Sequence, residues 1–112
     1  MKIYHNPRCS KSRETLYILE QNGANPEIVE YLKTPPTEEE LRSILKKLDM
    51  KPFDIVRRGE ELYINNYKGK TVSDDEWIKV LAAHPILIER PIVVKGNKAV
   101  LGRPPENVYD IM

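Results

Sequence analysis

The chain has 112 residues, enough for one domain with a packed core that needs no disulfide or metal staples. Its 18 Lys and Arg residues nearly balance its 17 Asp and Glu residues, so no global field marks a binder of nucleic acid or of anionic membranes. A signal-peptide core and an apolar run near the roughly 20 residues of a membrane helix are both missing. We therefore expect a cytoplasmic protein without a membrane partner.

A strand, a polar turn and a helix open the chain. Residues 2–4 form a short β-type run, residues 5–8 predict a turn, and Leu16 and Leu19 give the next segment an apolar helical stripe. Residues 27–31 predict a second strand. Because a helix separates the two strands, we expect a right-handed β-α-β unit with parallel strands.

The middle of the chain, from about residue 37 to residue 88, is predicted to be mostly helical. Residues 37–40 form a capping box, and the apolar residues after it follow the i, i+3, i+4, i+7 spacing of a buried helix face: Leu41, Ile44, Leu45 and Leu48. A second capping box at residues 73–76 opens another helix, which should end at His84-Pro85. Its apolar residues are Trp77, Ile78, Val80 and Leu81.

Two further strands are predicted near the C-terminus. Residues 92–94 and 99–101 flank a tight turn in which Gly96-Asn97 suits the positive φ of a hairpin. A short helix should follow. Together with the first two strands, this hairpin predicts an α/β fold with a mixed four-stranded sheet.

Cys9 is the only cysteine, and it falls where the first strand meets the first helix. The positive end of a helix dipole and free backbone N–H groups favour the thiolate, which is the nucleophilic form. Ser10 and Ser12 offer hydroxyls to a sulfur or an oxyanion. The basic residues within four positions of the thiol are His5, Arg8, Lys11 and Arg13. We therefore expect the pKa of Cys9 to lie below its usual value.

Simpler explanations exist for each of these residues. Cys9 alone is compatible with a small buried hydrophobe, the basic side chains with a solvated surface, and Ser12 with a polar residue of a first helical turn. His5 and Cys9 could begin a zinc site, but His84 is the sole other histidine and there is no second cysteine. We therefore expect no metal.

Two motifs resemble the glutaredoxin-coupled arsenate reductase (ArsC) family. Residues 5–13, HNPRCSKSR, are similar to its H-N-P-x-C-x-x-S-R motif, and residues 87–93, LIERPIV, are similar to its L-I-x-R-P-I-V segment. The resemblance continues through residues 31–36 and 84–87 to residues 102–104, and so covers essentially the whole chain. It implies a thioredoxin-like fold with a helical insertion in a single domain over residues 1–112.

The resemblance also implies the site. Cys9 would be the catalytic nucleophile, and Arg57, Arg90 and Arg103 would bind the substrate. Arg58 is the alternative to Arg57 at this position. A salt-bridged surface arginine is the simpler explanation for Arg57. Planar guanidinium forks that stay charged suit a tetrahedral oxyanion. The supporting residues are His5, Ser12, Arg13 and Pro91, the last as a cis-proline opposite the cysteine.

The activity implied is reduction of arsenate to arsenite in arsenic detoxification, with glutathione as co-substrate, glutaredoxin as partner and no bound cofactor. A rival class is the Spx transcription regulators, which share the fold and the Arg-Pro-Ile segment but bind RNA polymerase. Their redox switch is typically Cys-x-x-Cys, and Ser12 stands at its second position here, which favours an enzyme. A thiol-dependent reductase of another oxyanion, or of a glutathione-linked disulfide, stays open.

Overall fold

The computed structural model describes all 112 residues, which divide into two compact units. The first unit comprises Met1–Thr34 and Arg90–Met112, and the second comprises Pro35–Glu89. The second unit contains the segment predicted to be helical at residues 37–88. Its description as an insertion within a single domain stays a prediction.

The first unit is built on a four-stranded sheet. Its strands are β1 (Lys2–His5), β2 (Glu27–Glu30), β3 (Ile92–Lys95) and β4 (Lys98–Leu101). They lie in the order β2-β1-β3-β4, with β1 and β2 parallel and the other two pairs antiparallel. This confirms the mixed sheet, and Gly96 takes the predicted positive φ of 61° in the hairpin turn.

Helix α1 (Ser10–Gln21) connects β1 to β2 and packs on the core of this unit. That core joins residues of α1, β1 and β3 to the 3-10 helix Pro105–Ile111, and its members are Ile3, Leu19, Val93, Val108 and Ile111. Leu16 packs against the core, as the stripe predicted. The buried face of α1 also includes Ser12 and Thr15, both fully buried, which the apolar pattern did not indicate.

The second unit contains α2 (Glu38–Leu48), α3 (Glu61–Asn66), α4 (Asp74–Ala83) and two short 3-10 helices. The capping box of α2 is complete, because Thr37 Oγ1 accepts from the Glu40 N–H and the Glu40 carboxylate accepts from the Thr37 N–H, both at 3.1 Å. At α4, only the bond from the Glu76 N–H to Ser73 Oγ is formed. The four predicted apolar residues of α2 are all buried, which confirms that face.

None of these helices has both the length and the apolar character that a membrane span requires.

Candidate active site

Cys9 is the residue that caps the N-terminus of α1, as the sequence predicted. Its backbone is extended, with φ −95° and ψ 123°, and its carbonyl oxygen accepts from the Arg13 N–H at 3.0 Å. The Cys9 N–H donates to the Asn6 carbonyl oxygen at 3.0 Å, which closes the turn after β1. The thiol is therefore held at the positive end of a twelve-residue helix.

Hydrogen bonds within the turn fix its shape. The buried Asn6 accepts from the Arg8 N–H through Oδ1 at 3.0 Å, and its own N–H donates to Ser12 Oγ at 3.0 Å. Arg13 Nη1 donates to the Pro7 carbonyl oxygen at 3.0 Å. Arg13 therefore stabilises the turn. Asn6 is a supporting residue that was not predicted from the sequence, although an Asn-Pro step is a turn signal.

The Ser12 hydroxyl points to His5, since Ser12 Oγ and His5 Nδ1 are 2.6 Å apart. With the Asn6 N–H as its second partner, this hydroxyl is fully buried and bonded away from the thiol. The expectation that it bonds a sulfur or an oxyanion is therefore wrong. Ser12 contributes its backbone N–H to Cys9 instead.

His5 does not bring a positive charge to the thiol. Burial lowers the pKa of His5, and the charge of Arg13 lowers it further, whereas the charge of Glu30 raises it. The net result is a pKa below the usual value of histidine. The ring is therefore neutral at neutral pH. The expectation that His5 adds to the local positive field is wrong, and its role in the structure is to hold Ser12.

The pKa of the Cys9 thiol lies below its usual value. Partial burial acts to raise this pKa. Hydrogen bonds from the Ser12 and Lys11 N–H groups, together with the hydrogen bond and charge of Arg90, lower it by more. The thiolate is thus favoured by helix N–H groups and one guanidinium, which are the features of reactive cysteines.

Two of the three predicted arginines meet at this thiol. The Arg90 side chain hydrogen-bonds Cys9 and interacts with Tyr31. Arg103 Nη1 lies 4.0 Å from Cys9 Sγ and donates to the Arg90 carbonyl oxygen at 3.2 Å. Burial acts to lower the pKa of Arg90, but its contacts with Cys9 and Tyr31 raise that pKa by more, so the guanidinium stays charged.

The third predicted arginine, Arg57, lies in the second unit, where it pairs with two carboxylates. Arg57 Nε donates to Glu60 Oε1 at 3.3 Å, and Arg57 Nη1 lies 3.8 Å from Glu89 Oε2. Its neighbour Arg58 lies 4.0 Å over the Phe53 ring and donates to the Phe53 carbonyl oxygen. The ion pairs anticipated as an alternative for Arg57 are thus present, and its role in binding a substrate stays a prediction.

Gly102 sets how closely the segments before β3 and after β4 approach α1. Its N–H donates to the Pro91 carbonyl oxygen at 2.9 Å, and the Arg90–Pro91 peptide is cis, as the resemblance implied. A Cβ on Gly102 would lie 2.5 Å from Thr15 Oγ1 and 2.7 Å from Pro91 Cγ. Only glycine fits between these two side chains. Gly102 and Thr15 therefore help to place Arg90 and Arg103.

No group of three or more His, Cys, Asp or Glu side chains in the structure is arranged to hold a metal. A cavity of about 270 Å³ borders the turn before Cys9. Its lining residues include the buried His5 and Asn6 together with Glu30 and Lys33.

The sheet order and the activated thiol at the start of α1 define a thioredoxin-like protein. Comparison with known proteins identifies the family more closely. The profile of the ArsC family matches residues 4–111, so this chain belongs to the ArsC family, as its motifs indicated.

Relatives and solved structures agree with this assignment. The chain is 48% identical over 114 residues to the uncharacterized protein YfgD of Escherichia coli (strain K12), covering 100% of this chain and 96% of that protein. It is 47% identical over 112 residues to an arsenate reductase of Haemophilus influenzae, with 98% and 97% covered. The structure of an arsenate reductase from Vibrio cholerae superposes with a TM-score of 0.95 at 47% identity, over 99% of this chain and 96% of that chain.

Proposed function

We propose that this protein is an oxidoreductase that reduces arsenate to arsenite with Cys9 as its nucleophile. The observation that carries the proposal is the convergence of Arg90 and Arg103 on the Cys9 thiol, whose pKa lies below its usual value. A charged guanidinium pair beside a thiolate suits a reaction between that thiolate and a small oxyanion. Relatives of similar length are named arsenate reductase, which supports arsenate as the substrate.

In the first step, the Cys9 thiolate attacks the arsenic atom. A sulfur–arsenic bond forms, one arsenic–oxygen bond breaks, and the oxygen leaves as water after taking up a proton. Arsenic is still As(V) in this adduct, so no electrons have been transferred. Arg90 and Arg103 stabilise the negative charge on the remaining oxygens.

The second step needs a thiol from outside the chain. Glutathione attacks the Cys9 sulfur, a disulfide forms between the two sulfurs, and the sulfur–arsenic electron pair leaves with arsenic as arsenite. Glutaredoxin then takes the glutathione and restores the Cys9 thiol. This route requires no metal or bound cofactor, and it suits the cytoplasm, where thiols are kept reduced.

The proposal includes Arg57 as the third substrate-binding arginine, on the basis of the family motif. The matched test is Arg57→Ala beside Arg58→Ala, because the two residues are adjacent and both are engaged within the second unit. A loss of arsenate turnover confined to Arg57→Ala supports the assignment. A loss confined to Arg58→Ala transfers it to Arg58.

The experiment that tests the proposed function is an arsenate reduction assay with glutathione and glutaredoxin, run on the purified protein and on Cys9→Ser. Arsenite should form catalytically with the parent protein and not with the variant. Equal rates for the two proteins, or no arsenite from a folded, reduced parent, would refute the proposed function.

A further inference from the structure

The cavity of about 270 Å³ beside the turn before Cys9 lies within the first unit, because all of its lining residues fall in residues 1–34. His5 and Asn6 form part of its wall, although their exposed fractions are only 6% and 8%. Buried polar side chains normally have their donors and acceptors bonded. The hydrogen bonds of these two side chains therefore show what the cavity offers a ligand.

Asn6 keeps a donor without a protein partner. Its side-chain oxygen Oδ1 accepts from the Arg8 N–H at 3.0 Å, which fixes the orientation of the amide group. No protein atom accepts from Asn6 Nδ2, and this nitrogen is not among the fully enclosed atoms of the structure. Its N–H groups are therefore open to the cavity that Asn6 lines.

His5 presents a second donor. Ser12 Oγ lies 2.6 Å from His5 Nδ1 and already accepts from the Asn6 N–H, so the hydroxyl hydrogen points to Nδ1. The neutral ring then carries its hydrogen on Nε2, and a protonated ring would carry one there as well. Nε2 has no protein partner and is not fully enclosed. His5 thus offers an N–H group to the cavity in either protonation state.

Charged side chains of both signs also line the cavity. Glu30 is the register partner of His5 in the parallel pair of β1 and β2, so their side chains project to the same face of the sheet. Lys33 Nζ lies 3.6 Å from Glu30 Oε1, and Arg8 adds a second positive charge. The lining therefore combines two cations and one carboxylate with the two N–H donors.

We propose that this cavity binds the amino-acid end of the thiol that resolves the Cys9 adduct, with glutathione as the ligand. Its α-carboxylate accepts from the Asn6 and His5 N–H groups, and its α-ammonium pairs with Glu30. Glutathione carries two carboxylates and one ammonium, which complement the two cations and one carboxylate of the lining. The inference rests on the proposed function, in which glutathione attacks the Cys9 sulfur.

The size and position of the cavity agree with a ligand that enters it at one end. Small-molecule sites usually have volumes of about 300 to 1,000 Å³. At about 270 Å³, this cavity suits one end of a tripeptide. Cys9 directly follows Arg8 of the cavity wall, and neighbouring Cα atoms lie about 3.8 Å apart. Glutathione held by its γ-glutamyl end therefore extends its own cysteine toward the Cys9 sulfur.

The test is an NMR titration of the isotope-labelled, reduced protein with S-methylglutathione, which has no thiol and cannot react with Cys9. We expect saturable shifts of the Asn6 side-chain amide signal. The diethyl ester of the same ligand should not produce them, because it lacks both carboxylates. Lys33→Gln should raise Kd by roughly two- to fivefold, the range of an exposed ion pair. The matched control is Lys98→Gln, an exposed lysine at the opposite end of the sheet, which should leave Kd unchanged.

Glu30→Gln separates a site for an amino-acid end from a site for any anion. Binding of S-methylglutathione should weaken in this variant, because the ammonium loses its partner, whereas a site for anions alone would bind it more tightly. Tighter binding in Glu30→Gln, no shift of the Asn6 signal, equal binding of the diethyl ester, or the same shifts with inorganic phosphate would each overturn the proposal. Thermal melting of each variant confirms that folded proteins are compared.

The titration involves neither arsenate nor turnover, so its result is independent of the proposed reaction. A protein that fails to reduce arsenate but binds S-methylglutathione through Glu30 and Lys33 would refute the proposed function and retain the site. Arsenate turnover with glutathione, but without a shift of the Asn6 signal, would do the reverse.

Discussion

Arg103 Nη1 lies 4.0 Å from Cys9 Sγ, although the two residues are 94 positions apart in the chain. The same nitrogen donates to the Arg90 carbonyl oxygen, so the segments before β3 and after β4 are joined beside the thiol. The two arginines that surround Cys9 are thereby tied to each other as well as to the sulfur.

Replacing either arginine should therefore impair chemistry more than folding. We expect Arg90→Ala and Arg103→Ala each to lower kcat/KM for arsenate by about 10²- to 10³-fold, the range seen when a donor to transition-state charge is removed. Arg42→Ala is the control, because Arg42 forms an exposed ion pair with Asp75 in the second unit. Folded arginine variants with the kinetics of the parent would contradict the assignment.

Cys9 should titrate below the pKa of about 8.5 of an ordinary thiol. Because this pKa is lowered, a larger fraction of Cys9 is in the reactive thiolate form at a given pH than in an ordinary thiol, and reactivity is lost as the pH falls through the lowered value. Arg90→Ala should move the inflection of alkylation to higher pH, since the hydrogen bond and charge of Arg90 both lower the pKa. An inflection at or above the ordinary value in the parent protein would remove the basis for an activated nucleophile.

Gly102→Ala should destabilise the first unit by about 1 to 3 kcal/mol, because the new methyl group would overlap Thr15 and Pro91. Urea unfolding measures the change. Gly59→Ala is the matched control: no atom lies within 4 Å of a Cβ at that position, so its effect should stay within about 0.5 kcal/mol. Equal stabilities of the two variants would show that the close approach at Gly102 is absent in solution.

Leu41→Lys should destabilise the second unit by about 3 kcal/mol or more, since Leu41 is fully buried on the apolar face of α2. Ser43→Lys introduces the same side chain on the exposed face of the same helix and should change the free energy of unfolding by about 0.5 kcal/mol or less. Similar melting temperatures for the two variants would reject the buried face.

The elements predicted best were those with a local physical signal. Helix α2 was predictable because its capping box and its apolar period act within a few residues, and both are present. The β3–β4 hairpin was predictable from its Gly-Asn turn. The observed ends of β1 and β2 differ from the predicted ends by one residue, since β1 includes His5 and β2 stops before Tyr31. The reason is that a strand stops where its pairing partners stop, which a single sequence does not show.

Polar residues of the site were harder to predict, because their burial depends on partners distant in sequence. Ser12 was expected to face the sulfur or an oxyanion, but its hydroxyl is bonded to His5. His5 was expected to add charge, but burial lowers its pKa. The apolar pattern and the turn signals gave no indication of the role of Gly102, since this residue acts through its close approach to Thr15 and Pro91 in other segments.

The most direct test of the central claim follows from counting electrons. Reduction of arsenate to arsenite takes two electrons, which thiol chemistry supplies by joining two sulfurs, and this chain has Cys9 alone. The measurement is arsenite formed by purified, reduced protein mixed with arsenate, before and after glutathione is added, with Cys9-linked dimers scored on a non-reducing gel. We predict no arsenite before glutathione and arsenite after it, with glutaredoxin needed for sustained turnover. A stoichiometric burst of arsenite without added thiol and without linked dimers would contradict the account.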